Sequence, residues 1–231
     1  MEVAKYSAKI KAKKQLTADV FECQFEKPVG FDYLAGQFVQ FLVPHEGKTK
    51  ALSYSMSSIP TDDSIEFCIK IHDDGVGCQS ILKMGPDGVL EFQGPRGFFV
   101  HKENEMPVSF VATGTGIAPI LAIIRDELEN KKNSSELRLL FGVRSEADIF
   151  WLDRLEALKE KYENFTYEIV LSQPKPDGRW SGLRGRVTEH LLHHLVSHKF
   201  YICGSAAMIK DVREILIKNG VDARAIHFEV F

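Results

Sequence analysis

Along residues 5–100, apolar and polar positions alternate in short runs, YSAKIKAK, DVFECQFE, QFVQFLV, LSYSMS and SIEFCIKI, broken by Gly, Pro and Asp-Asp turns. Successive side chains on a strand point to opposite faces, so a period of two predicts half-buried strands in an antiparallel barrel or sandwich. From about residue 107 the texture changes. Apolar runs PVSFVA, ELRLLFGV, FTYEIVL, KFYICG and AIHFEVF alternate with helical stretches near 117–130, 152–162, 187–195 and 206–219. That alternation predicts a parallel sheet wrapped by helices. The last helix is the most clearly marked, with Ser205 as N-cap, an apolar stripe of Ile209, Val212 and Leu216, and Asn219-Gly220 as its stop. The polar junction HKENEM separates the two textures, and we expect domains at 1–103 and 104–231.

Composition narrows the function classes. A chain of 231 residues that is 44% hydrophobic can bury two ordinary cores without disulfides or metals. Lys+Arg 29 against Asp+Glu 32 gives no basic excess, and no basic run interleaved with aromatics occurs, so nucleic acid is not an expected partner. Cys23, Cys68, Cys78 and Cys203 are scattered without a CxxC pair, which argues against iron–sulfur or zinc sites and fits a reducing, cytoplasmic compartment. The N-terminus lacks the apolar core of a signal peptide and no stretch approaches membrane-spanning length, so a soluble protein is expected. His190, His193, His194 and His198 fall at i, i+3, i+4 and i+8 on the 187–195 stretch. With no carboxylate or Cys to complete a ligand set, they read as a polar helix face, and no metal is expected.

Chemistry first shows at Thr113-Gly114-Thr115-Gly116-Ile117-Ala118-Pro119, where a buried strand feeds directly into a helix. Glycines there let a phosphate approach the main chain, the helix dipole favours its charge, and a first-turn Pro119 loses no hydrogen bond. The turn suits a dinucleotide pyrophosphate, or tight packing alone. The acidic ribose ligand of an ordinary dinucleotide fingerprint is missing, since Gly142-Val143-Arg144 ends the next strand. Cys203 ends a buried strand at the sheet edge where open α/β sheets place ligands, and also fits an inert buried thiol.

Several further motifs stand in order along the chain. They are Leu52-Ser53-Tyr54-Ser55-Met56-Ser57-Ser58, Gly77-Cys78-Gln79-Ser80, Gly94-Pro95-Arg96-Gly97-Phe98-Phe99, the Gly114–Pro119 loop, Cys203-Gly204 and the terminal Glu229-Val230-Phe231. In that order they resemble the ferredoxin-NADP reductase superfamily over nearly the full chain. The resemblance implies a six-stranded antiparallel flavin-binding barrel followed by a Rossmann-like nucleotide-binding domain with a parallel sheet. It also implies FAD and NAD(P)H as cofactors. By the resemblance Tyr54 lies along the isoalloxazine and Ser55 reaches toward flavin N5, with Ser53, Met56 and Ser57 completing the motif. Gly77, Cys78, Gln79 and Ser80 open a helix on the FAD pyrophosphate. Thr113, Gly114, Thr115, Gly116 and Pro119, with Arg144, Cys203 and Gly204, hold NAD(P). Cys203 and Glu229 border the nicotinamide C4 region, and Phe231 stacks on the flavin until nicotinamide displaces it.

Leu52 departs from the family pattern, because it stands where an arginine grips the FAD pyrophosphate and leucine has no donor. Lys50, two residues earlier on the same strand face, is the expected substitute. The alternative is a weakly held, exchangeable flavin. A 2′-phosphate would call for Arg144 or for Lys175, Arg179, Arg184 or Arg186 beyond Gln173, which leaves NADH and NADPH both open. The implied activity is hydride transfer from NAD(P)H to FAD, then electron transfer to a separate redox protein such as a ferredoxin, oxygenase component or cytochrome. A free-flavin reductase and an FAD-holding subunit of a larger complex are the alternatives.

Overall fold

A computed structural model describes residues 4–72, 75–101, 106–175, 178–194 and 199–231. The first half folds as strands β1 (Lys5–Gln15), β2 (Val20–Glu26), β3 (Phe38–His45), β4 (Lys48–Ser55) and β5 (Ser64–Lys70), helix α1 (Val76–Lys83), and strand β6 (Val89–Arg96). These strands pair antiparallel in the order β4-β3-β6-β1-β2-β5. Their inward positions meet in a core built on Phe25, Phe41, Phe67 and Phe92, joined by Phe31 from the segment between β2 and β3, as the period-two pattern requires. Lys13 caps α1, its ammonium donating to the Leu82 and Met84 carbonyls at 2.5 and 3.2 Å.

The strand expected over LSYSMS starts earlier and stops sooner. Glu46 and Gly47 both have positive φ (50° and 73°), the backbone of a tight two-residue hairpin turn, so pairing begins at His45↔Lys48. Residues 48–51 are exposed and three of them, Lys48, Thr49 and Lys50, are polar, which hides them from a hydrophobic pattern. Met56 leaves β4 and forms only a bridge to Phe67.

The second half comprises β7 (Val108–Thr113), α2 (Ile117–Arg125), β8 (Leu137–Val143), α3 (Leu152–Lys161), β9 (Phe165–Leu171), β10 (Leu183–Arg184), β11 (Lys199–Gly204), α4 (Ala206–Lys218) and β12 (Ile226–Val230). The sheet is parallel in the order β10-β9-β8-β7-β11-β12. α2 continues as a wider π turn over Asp126–Asn130, so the 117–130 stretch is helical throughout. Ser205 caps α4 by accepting from the Met208 amide at 3.3 Å. The described part of the 187–195 stretch, residues 187–194, is not an α-helix but two 3-10 turns, Val187–Glu189 and Leu191–His194. Glu189 Oε1 accepts from the Arg186 amide at 2.9 Å and closes the first turn on itself. His190 Nε2 lies 2.8 Å from the Arg184 carbonyl, a local contact rather than one face of a ligand set. The side chains of His193 and His194, and all of His198, lie outside the described residues, as does the 103/104 boundary. No group of metal-ligating side chains occurs among the described residues, and none of their helices is long and apolar enough to cross a membrane.

One apolar core joins the two halves. Val20, Ala35, Cys68 and Phe99 of the barrel pack with the α2 and β7–β9 side chains. Across that seam α3 sends Arg154 to two buried barrel carboxylates, Glu22 Oε2 at 2.7 Å and Glu66 Oε1 at 2.7 Å. Trp151 Nε1 donates to Glu22 at 2.8 Å. Trp151 has φ 58°, a left-handed conformation that costs a bulky residue about 1–2 kcal/mol. A second pair, Arg125 with Asp62 at 2.9 Å, closes the other end of the seam. The relative placement of the halves is therefore set by burial and ion pairs together.

At the junction the buried His101 Nδ1 lies 2.8 Å from Glu127 Oε1. Burial alone would push the Glu127 carboxyl up, but the close His101 ring and hydrogen bonds from Lys131 and Asn133 hold it down at about 2. A depressed folded-state value means this stabilisation is complete above the unfolded value of 4.5 and is lost as pH falls toward about 2. Glu127→Gln is expected to flatten the acid limb of the unfolding free energy by about 3 kcal/mol, measured by urea denaturation at stepped pH.

Candidate functional site at the barrel–sheet cleft

A cleft of about 1180 Å³ opens between the outer face of β4 and β5 and the C-terminal edge of the parallel sheet. Open α/β sheets bind ligands at that edge. Leu52, Ser53, Tyr54 and Ser55 line its barrel wall, and Thr113, Gly114, Thr115, Arg144 and Gly204 its sheet wall. Glu229 and Phe231 also line it.

On the barrel wall the pleat of β4 sets the roles. Tyr54 stacks on the core ring of Phe41 at 4.2 Å and 20°, which leaves the phenol half-buried along the cleft. Burial pushes its hydroxyl up to about 12, so it stays neutral. Gly77 at the start of α1 has no room for a side chain, because a Cβ there would meet the Tyr54 hydroxyl and lie 2.8 Å from Leu52 Cδ1. α1 therefore packs directly on β4. Its Gly75 N-cap uses no side chain, which leaves first-turn amides for an anion. The Cys78 thiol is turned back to the carbonyls of Gly75 (3.1 Å) and His72 (3.4 Å). Gln79 and Ser80 are half-buried and stand outside the cleft lining, and Lys50 is exposed on the Leu52 face, also outside it.

Two later positions of the motif turn away. Met56 is fully buried in the barrel core, and Ser57 donates its hydroxyl to Glu66 at 2.8 Å beside the Arg154 pair. Neither side chain lines the cleft, because the strand alternation that aims Tyr54 ends at Ser55.

On the sheet wall Thr113–Gly116 forms a tight turn into α2. Gly114 has φ +54° with open space around it. Gly116 is pinned: a Cβ would meet the Cys203 carbonyl oxygen, lying 2.6 Å from its carbon and 2.8 Å from the Gly204 nitrogen. Pro119 is buried in the first turn of α2. The turn thus rests on the end of β11 and presents its amides to the cleft.

The two walls meet at β12. Cys203 and Glu229 are register partners, and the Ser55 hydroxyl donates to Glu229 Oε1 at 2.7 Å, joining barrel to sheet across 174 positions of sequence. Burial raises the Glu229 carboxyl above its usual range against the pull of that hydrogen bond. Cys203 is fully buried, and burial followed by the Glu229 charge holds its thiol well above the ordinary value. A thiol so placed stays protonated. Phe231, 45% exposed, is anchored by its amide to the Gly204 carbonyl at 2.9 Å and stands at the cleft mouth. Phe38 and Gly97 approach this junction too, a Gly97 Cβ lying 2.9 Å from the Phe38 ring and 3.7 Å from Glu229 Oε2. The GPRGFF turn was the signal for Gly97, whereas Phe38 lies in the QFVQFLV strand run. Arg186, one of the cations the sequence offered for a 2′-phosphate, lines the cleft, and so does the Asp19–Lys70 pair (3.1 Å), which no sequence pattern singled out from its strand ends.

The geometry fits two nucleotides end to end. The open side of the Tyr54 ring and the Phe231 platform suit an isoalloxazine. The Gly114–Gly116 amides suit the pyrophosphate of a second nucleotide, and the α1 amides suit that of the flavin, without a guanidinium beside them.

Residues 7–101 match the oxidoreductase FAD-binding domain family and residues 110–214 the oxidoreductase NAD-binding domain family. The chain is 34% identical to ferredoxin–NADP reductase B of Sorangium cellulosum, over 97% of this chain and 96% of that protein. It is 32% identical to the ferredoxin–NAD(P)(+) reductase component of naphthalene 1,2-dioxygenase/salicylate 5-hydroxylase systems from a Ralstonia species, over 77% of this chain but only 55% of that longer protein. The fold superposes on an Amycolatopsis cytochrome P450 reductase with a TM-score of 0.87 at 23% identity, covering 100% of this chain and 71% of that one. Both halves of the chain, and the cleft between them, belong to the ferredoxin–NADP reductase family of NAD(P)H-dependent, FAD-binding oxidoreductases.

Proposed function

We propose that the protein transfers hydride from NADPH to flavin in this cleft and passes the electrons to a separate redox protein, in the cytoplasm. The observation that supports the reading is the Ser55–Glu229 hydrogen bond, which joins the Tyr54-Ser55 segment of the barrel to the C-terminal edge of the parallel sheet. Bound flavin supplies the chemistry, taking electrons as a pair and yielding them singly or together. The protein's part is placement. Tyr54 gives the ring a rigid apolar surface. Glu229, its carboxyl raised by burial, retains a proton to higher pH than an exposed carboxylate, and its Oε1 accepts the Ser55 hydroxyl at the reacting centre. Phe231 covers the cleft and must swing aside for nicotinamide, excluding water until then. The neutral Cys203 thiol packs behind Gly204 and stays out of covalent chemistry.

Arg144 and Arg186 are exposed on the sheet wall, and they favour a ligand with an added phosphate. Gln173 between them offers an amide in place of a third cation. A redox-protein acceptor is supported by what the relatives are named for, ferredoxin in one and an oxygenase system in the other. The test is steady-state kinetics with both nucleotides. The double change Arg144→Gln, Arg186→Gln is expected to raise KM for NADPH by about tenfold or more and leave KM for NADH within about twofold, since one lost charged contact is worth about 1.5–3 kcal/mol. Equal effects on both nucleotides would remove the NADPH assignment.

A further inference from the structure

The barrel wall grips the two ends of a flavin unequally. At the ring end Tyr54 is stacked and half-buried, Ser55 is hydrogen-bonded to Glu229, and Phe231 stands over the cleft. At the phosphate end Leu52 faces α1, close enough that a Cβ on Gly77 would lie 2.8 Å from its Cδ1. A hydrocarbon contact therefore occupies the place beside the α1 amides where a pyrophosphate needs its counter-charge. Leu52 is part of the packing around the barrel core and has no donor to offer.

No other described cation takes over that role in the structure. The lysines and arginines lining the cleft are Lys70, Arg144 and Arg186. Lys70 is tied to Asp19 Oδ2 at 3.1 Å. Arg144 and Arg186 belong to the opposite, nicotinamide-nucleotide wall. Lys50 is exposed outside the lining. What remains for the pyrophosphate is the amides of the first turn of an eight-residue helix, a partial positive charge that water and salt weaken.

We infer that this chain recognises flavins by their isoalloxazine end and exchanges them, so that riboflavin and FMN serve beside FAD as diffusible hydride acceptors. The inference rests on the hydride-transfer reading above and extends it from a held cofactor to an exchangeable substrate class. In each turnover the C4–H bond of NADPH breaks with its electron pair, the hydride forms an N–H bond at flavin N5, and one proton from solvent completes the reduced flavin. NADP+ and reduced flavin both leave, and the reduced flavin carries two electrons to whatever oxidises it.

The test compares FAD with riboflavin, which has no phosphate. Purified protein, freed of flavin by desalting, is titrated with each by quenching of flavin fluorescence, and NADPH oxidation is then followed with each as acceptor. The two Kd values are expected to lie within about threefold of each other, because the phosphates add little binding without a cation. Leu52→Arg is expected to tighten FAD by at least about tenfold and leave riboflavin unchanged. FAD that co-purifies in full and binds about a hundredfold more tightly than riboflavin would overturn the inference without touching the hydride-transfer reading. Failure of both flavins to bind would overturn the two readings together. The comparison of FAD with riboflavin on the unaltered protein decides the matter even if Leu52→Arg fails to fold.

Discussion

Replacing Gly116 with valine is expected to weaken NADPH binding by about a hundredfold or more while FAD and riboflavin affinities stay within about twofold. The obstacle is spatial rather than conformational, since Gly116 sits in ordinary right-handed helical backbone at φ −60°. A Cβ there would lie 2.6 Å from the Cys203 carbonyl carbon and 2.8 Å from the Gly204 nitrogen. Those atoms belong to β11, paired on one side with β7 and on the other with β12, so they cannot give way. The loop must lift instead, and the amides at the start of α2 lose their aim. Two charged hydrogen bonds at about 1.5–3 kcal/mol each account for the expected loss. Gly114 is the control. It has φ +54° and open surroundings, so Gly114→Ala costs about 1 kcal/mol of backbone strain and weakens NADPH less than about tenfold. Isothermal titration with NADP+ and FAD separates the cases, and near-normal NADP+ binding by Gly116→Val would place the pyrophosphate elsewhere.

Arg154→Ala is expected to lower the free energy of unfolding by about 3–5 kcal/mol, the usual cost of stranding buried charge. The guanidinium is the shared partner of Glu22 and Glu66, both under 10% exposed. Without it the two carboxylates keep only the Trp151 indole, the Gln24 amide and the Ser57 hydroxyl. Glu22 and Glu66 lie on neighbouring barrel strands, and the indole and guanidinium come from the nucleotide half, so the seam between halves takes the damage. Urea denaturation followed by tryptophan fluorescence measures it. Arg224→Ala, which breaks a fully exposed pair with Asp222, is the control and should leave the midpoint unchanged. A similar midpoint for both variants would show that the apolar seam alone orients the two halves.

Much of the architecture was legible because burial imposes a period. Phe25, Phe41 and Phe67 recur at inward positions of the barrel strands, and Ser205, Leu216 and Gly220 mark both ends and the buried face of α4. What escaped lacks a local signal. The start of β4 is polar and exposed, so only the Glu46-Gly47 turn announces it. Residues 187–194 have helical spacing but form two short turns, because the Glu189 carboxylate closes the first of them locally. Within the site, Tyr54, Ser55, Glu229 and Phe231 come together as their motifs implied. Met56 and Ser57 do not, since adjacency in a motif says nothing about which face a residue takes once the strand ends. The Arg154 pairs span 88 and 132 positions and exist only in the folded chain.

The central claim is that hydride passes between two nucleotides meeting at the Ser55–Glu229 junction. Its most direct test is anaerobic mixing of the flavin-saturated protein with NADPH carrying deuterium at one or the other C4 position, followed by the flavin's visible colour. Bleaching that is slowed by deuterium on one face of C4 and not the other is the expected result, because a single cleft presents a single face. A flavin that keeps its colour, or that bleaches with no dependence on deuterium at either position, would contradict the account.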